Sequence, residues 1–181
     1  MFPTLRGVLG IACGAFDSDD DVPSWIKAER RRNVSLRLAM MNVIIATARR
    51  PQSAHTRILV NACMPQLVTC AEHRGEPEIR AAALQALMMV FHAAERDDAA
   101  DRAAPLVQTI TTILRDHACG DVVRMGATRV ATALLAGEEP VLHAIEPHLE
   151  ALRQALDVAA RVAVDAEVSS LAAKLASCMT A

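Results

Sequence analysis

The sequence predicts an all-α protein built from helical hairpins laid side by side, and three observations carry that reading. Ala is the most abundant residue, while only four of 181 residues are aromatic (Phe2, Phe16, Trp25 and Phe91) and Tyr is absent. Ala is the strongest helix former, and the aromatic and β-branched types that strands favour are comparatively scarce. Apolar residues recur at helical spacing in four windows that align without gaps. A proline-marked apolar segment precedes each window, so the chain reads as a series of two-helix units. Seven Gly and eight Pro are too few for the turns of a sandwich or barrel. A hydrophobic fraction of 52% with a net charge of −2 argues against disorder. At 19.4 kDa the chain is one domain, long enough to bury a core.

The four windows begin at Val34, Pro77, Asp121 and Asp165. Their fourth column holds Arg37, Arg80, Arg124 and Val168, at spacings of 43, 44 and 44. Small or apolar residues follow three, four and seven positions later, such as Ala83, Leu84 and Leu87 after Arg80. That is the stripe of a helix with one buried face. An acidic or proline start before the later windows suits a helix N-terminus.

The preceding segments are marked by Pro3, Pro65, Pro105 and Pro147. Proline is tolerated in a first helical turn, where the amide has no helical partner. Around Pro65 the helical pattern starts earlier, near His55, so a kink or break is expected at residues 64–65. The clearest hairpin is residues 104–135, where Arg115 to Asp121 turns the chain and Gly120 offers a positive φ. The expected units are residues 2–50, 55–97, 100–137 and 139–180 of a single domain over 1–181. One such unit cannot cover its own apolar face, so neighbours stack into a continuous core. An ordinary helical bundle is the second architecture considered.

An apolar first helix with proline, a turn with Asp, then Val-Arg and an Ala/Leu-spaced second helix resembles the HEAT repeat. Residues 104–135 carry this pattern as APLVQTITTILRDHACGDVVRMGATRVATALL, and residues 65–91 resemble it nearly as well. Residues 147–179 fit more loosely, because Val168 replaces the Arg. Armadillo units share much of the pattern, and the HEAT type is preferred. The resemblance implies a right-handed α-solenoid of about four antiparallel hairpins. It also implies a scaffold, transport adaptor or assembly factor.

The first unit departs from the others. Only Thr4 and Arg6 interrupt the apolar run from Phe2 to Phe16, and an all-round apolar helix must be covered on every side. The expected cover is another protein, or the N-terminal remainder of a longer solenoid of which this chain is a C-terminal piece. The final helix, with Asp165, Glu167, Ser169, Ser170 and Lys174, reads as a cap. Residues 17–33 form an insertion, expected as a loop. It carries Asp19, Asp20 and Asp21, the only Trp, and the basic run of Lys27, Arg30, Arg31 and Arg32. Insertions in repeat proteins often carry contacts. Trp25 is the expected apolar anchor of a partner site, with the charged residues as its rim.

Other classes are weaker. With 19 basic and 21 acidic residues there is no field to attract nucleic acid, and beyond residues 27–32 no basic stripe. A nucleic-acid-binding HEAT-like protein is therefore the alternative rather than the first reading. The other alternative is a helical regulatory or enzymatic domain without a recognisable motif. Five scattered cysteines without a CxxC pair suggest buried thiols in a reducing compartment. The apolar start lacks a convincing cleavage site, and no later stretch is long enough to span a bilayer. The expected location is intracellular, in the cytoplasm, with the nucleus left open. His117 with Cys119 are too few ligands for zinc, and Cys70 with His73, at i and i+3 on one helix face, read as a buried thiol beside a helix-end histidine. No phosphate loop, metalloprotease or nucleophile-elbow pattern occurs. The expectation is a non-enzymatic protein-interaction module with no cofactor and no metal.

Overall fold

Apolar residues spaced three and four apart, in a chain rich in Ala, close into helices along nearly all of the described length. The computed structural model describes residues 24–49, 53–73 and 76–179; for residues 24–33, 53–56 and 58 it describes the backbone alone. Among these residues the regular structure is entirely helical, with no strand. In chain order the elements are α1 (Ser24–Ala48), α2 (Ser53–Glu72), α3 (Pro77–Ala93) and α4 (Arg96–Arg115). Then follow α5 (Asp121–Leu135), α6 (Glu139–Ile145), a 3₁₀ turn (Glu146–His148), α7 (Leu149–Val162) and α8 (Ala166–Cys178). Acidic residues occupy the first turns of α3 to α8, where the helix dipole favours them. The carboxylate of Asp165 caps α8 by accepting from the Glu167 amide at 2.8 Å.

The helices touch along two lines. Along one, α1 packs on α3, α3 on α5 and α5 on α8; along the other, α2 packs on α4, and α4 on α6 and α7. Cross-links between the lines pair α2 with α3, α4 with α5 and α7 with α8. The shared core contains Met41 and Ile44 of α1, Leu67 of α2, Leu84 and Leu87 of α3, and Ile110 and Leu114 of α4. It continues through Leu134 of α5, Ile145 of α6 and Leu152 of α7. Polar contacts tie the second line at its surface. Thr109 donates to the Glu72 carboxylate at 2.8 Å, and Arg102 to the side-chain oxygen of Asn61 at 3.1 Å.

Several expectations are corrected. The 17–33 insertion is not a loop throughout: residues 24–33 are the first ten residues of α1, continuous with the window that begins at Val34. Its remainder, with Asp19, Asp20 and Asp21, lies outside the described residues. No break occurs at residues 64–65, and α2 runs through Pro65. Met64 and Leu67 on either side are buried, so packing holds both halves in line. The carbonyl orphaned by the proline belongs to the exposed Asn61, within reach of water. Pro105 likewise lies inside a helix, because α4 starts at Arg96. Pro3 lies outside the described residues; among the described units, the proline coincides with a change of helix type only in the fourth, Pro147 falling in the 3₁₀ turn between α6 and α7. Gly120 does not use a positive φ: it sits at φ −72° and ψ 156°, an extended N-cap for α5. Cys70 is disulfide-bonded rather than a free thiol.

Candidate interaction face

The arginine column is a set of buried clamps. Arg37, Arg80 and Arg124 are 8%, 8% and 4% exposed, unusual for a guanidinium unless it is paired. Each of the last two reaches back to the carbonyl end of the helix before its own, where carbonyls lack helical partners. Arg80 Nε donates to the Ala71 carbonyl at 2.9 Å. Arg124 donates to the carbonyls of His117 at 3.0 Å and Asp116 at 3.3 Å, and to the Asp121 carboxylate at 2.8 Å. Arg37 faces Glu76 of the next unit at 3.9 Å. The Nε atoms of Arg37 and Arg124 are buried without a partner among the described residues.

The fourth unit shows that the sequence alignment slips by one position. Ser169, not Val168, takes the arginine's place: its hydroxyl donates to the Ala160 carbonyl nine residues earlier at 2.7 Å, the separation at which Arg80 meets Ala71. In this register Val168, Ala172 and Ala176 fall on the columns of Val123, Ala127 and Ala131, and all six are buried. A single residue changes the face by about 100°, so burial decides the register where residue type cannot.

Asp121 joins neighbouring units. One oxygen holds Arg124, while the other accepts the amides of Asp165 at 2.7 Å and Val164 at 2.9 Å. The Asp165 amide, and with it the Arg124 and Val164 donors, holds the Asp121 carboxyl below its ordinary value. Arg129 and Glu167 add a looser α5–α8 contact at 4.0 Å.

These ties hold three helices of the first line beside an open groove of about 590 Å³. Its lining includes Ala82 and Met88 of α3, Val122, Met125 and Gly126 of α5, and Val168 of α8. Gly126 allows the close approach of α3 and α5, since a Cβ there would stand 3.1 Å from both Cβ and Cδ1 of Leu84. Val122 is 68% exposed in a column otherwise held by Ser35, Glu78 and Glu167. The rim carries Glu78, Asp121, Asp165 and Glu167, with Arg129 as the cation among the lining residues. The face can therefore seat an apolar side chain and favours positive charge beside it.

Sequence reading missed this groove, although two signals were present: a glycine inside a helical window, and an apolar residue in a polar column. Of the residues chosen from sequence, Trp25, Lys27, Arg30, Arg31 and Arg32 lie on the N-terminal turns of α1. Asp19, Asp20 and Asp21 lie outside the described residues, and for the other five the backbone alone is described.

The buried thiols of Cys63 and Cys119 are not activated nucleophiles. Burial pushes the Cys63 thiol up. Burial also raises that of Cys119, against the pull of Arg80 and Arg124. Activation would require a lowered value at an accessible position. Among the described residues, no three His, Cys, Asp or Glu side chains are grouped to hold a metal ion. Among the same residues, no helix is long and apolar enough to cross a membrane. No family profile, no curated protein and no solved structure matches this chain.

Proposed function

We propose that this chain is a non-enzymatic protein-interaction module, an α-solenoid of HEAT-like hairpins that offers the α3/α5/α8 groove to another protein. The groove carries the reading: an apolar floor with an acidic rim, spread over three successive helices of one line. The two lines of helix contacts and the repeated carbonyl clamps support the solenoid interpretation. Each hairpin leans on its neighbours, and a surface assembled from successive units is the usual working face of such a rod. A cationic, partly apolar segment of a partner fits this chemistry. Residues 24–33, with Trp25, Lys27 and Arg30 to Arg32, form a second contact surface in this reading.

The test is quantitative crosslinking mass spectrometry in cells, comparing the natural chain with Val122→Glu/Met125→Glu. Both residues lie on the groove, and Val122 is largely exposed, so the melting temperature should stay within about 2 °C. Partners crosslinked to α3 and α5 should fall at least tenfold. Unchanged recovery of every partner would sink the groove reading. Submicromolar duplex binding with a steep salt dependence would favour the nucleic-acid alternative instead.

A further inference from the structure

Glu78, Val122 and Glu167 hold one column on three successive helices, α3, α5 and α8, and all three line the groove. Each lies in the first turn of its helix and is exposed. Because α3 packs on α5 and α5 on α8, the column steps at the distance between packed helix axes, about 8–10 Å. The rim carboxylates are not equivalent. Asp121 accepts on both oxygens, from Arg124 and from the Val164 and Asp165 amides. Asp165 caps α8. Glu78 makes no ion pair among the described residues. The Glu167 carboxylate meets Arg129 at 4.0 Å, with both side chains more than half exposed. So exposed a pair contributes little and yields to a better-placed cation. The open column therefore presents acid, apolar and acid in a row. Gln85 and Arg129 follow seven residues further along α3 and α5, on the same side of the groove.

We propose that the groove takes an extended polyproline II segment of another protein, seated over Glu78, Val122 and Glu167. The segment carries a basic residue, an apolar residue three positions on and a second basic residue three further. The proposal rests on the groove being a partner site, and it names the partner's conformation and residue pattern. The step of the column selects the conformation. Polyproline II turns once in three residues and about 9.3 Å, within that step, so residues i, i+3 and i+6 face the floor together. A β-strand covers about the same distance in three residues but puts i and i+3 on opposite sides. An α-helix returns to one face after seven residues and about 10.5 Å, so its contacts drift out of register across three helices. Seven residues of polyproline II place their ends about 19 Å apart, which matches the distance between the outer two of three packed axes. This form leaves its backbone groups unbonded, open to the donors of Gln85 and Arg129. Its stiffness also reduces the entropy lost on seating.

The test is fluorescence anisotropy of the full chain with labelled synthetic peptides. The matched probe is Arg-Pro-Pro-Leu-Pro-Pro-Arg, and the re-spaced probe, Arg-Pro-Leu-Pro-Pro-Pro-Arg, keeps its composition and charge. A helical probe carries Arg, Leu and Arg at i, i+7 and i+14 in an Ala-rich background. The matched probe should bind about tenfold more tightly than either of the others. Glu78→Lys should weaken it by about tenfold and should come to prefer Glu-Pro-Pro-Leu-Pro-Pro-Arg, a reversal that a merely structural role for Glu78 would not produce. Equal binding of the re-spaced probe, tighter binding of the helical probe, or no binding of the matched probe overturns the proposal. The groove reading fails separately, when Val122→Glu/Met125→Glu leaves every crosslinked partner in place.

Discussion

Replacing Arg124 by Ala removes the most thoroughly buried of the three clamps. The guanidinium is 4% exposed and donates to two helix-end carbonyls and to the Asp121 carboxylate. Hydrogen bonds from a charged group contribute about 1.5–3 kcal/mol each, and the low end applies here because Asp116 and its neighbours lie near solvent. Three bonds then amount to about 4.5 kcal/mol. The natural residue also buries an Nε without a partner among the described residues, and removing it returns about 1 kcal/mol. The net expectation is a loss of about 3.5 kcal/mol, read from urea denaturation with the slope m unchanged. For a chain of this size that lowers Tm by about 10 °C. Arg124→Lys should recover less than half of the loss, since an ammonium cannot span carbonyls and carboxylate at once. Ser169→Ala, which removes one neutral bond at the equivalent place, should cost only about 1 kcal/mol. An Arg124→Ala loss below about 1 kcal/mol would refute the clamp argument.

Further predictions concern protonation, packing and thiol access. The Asp121 carboxyl is held below its ordinary 3.8, so its contribution to stability is complete above that pH. It is lost as pH falls through the lower folded-state value, and Asp121→Asn should flatten the stability profile in that acid range and nowhere else. Carbon NMR titration should place the exposed Glu150, bonded by Arg153 and Gln154, near a pKa of about 2. A midpoint at the ordinary glutamate value would show that these contacts do not persist in solution. Gly137→Ala should destabilise by about 2 kcal/mol in the same urea assay, because its Cβ would stand 2.7 Å from Val141 Cγ1 and 3.0 Å from the Leu134 carbonyl. A neutral result would mean that the turn before α6 yields. Among the free thiols, the exposed Cys178 should react rapidly with a disulfide reagent, while the buried Cys63 and Cys119 wait for unfolding.

Much of this chain was legible before any coordinates, and the parts that were not share a cause. Helical character, the window starts at Pro77 and Asp121, and the burial of Ala83, Leu84 and Leu87 all follow from composition and spacing. These are local signals, and the i, i+3, i+4 stripe encodes them directly. The arginine column was visible as a repeat of residue type, but its work was not: that Arg80 closes the end of α2 depends on how two helices cross. Continuity through Pro65 was likewise decided by the buried Met64 and Leu67, whose packing outweighs one lost amide bond. The exchange of Val168 for Ser169 turns on which side of α8 meets α5 and α7, and a polar hydroxyl can replace a guanidinium only where a carbonyl end lies beside it.

Sequence by itself therefore determined the all-helical class and most of the residues that seek burial, because both depend on neighbours three and four positions away, but it missed that residues 24–33 are helical and that α2 runs through Pro65. Tertiary structure alone decided the register of α8, the Asp121 bridge and the groove beside Gly126. The bridge and the groove arise from atoms brought together across about 40 residues of chain, and the stripe of a single helix carries no information about that distance.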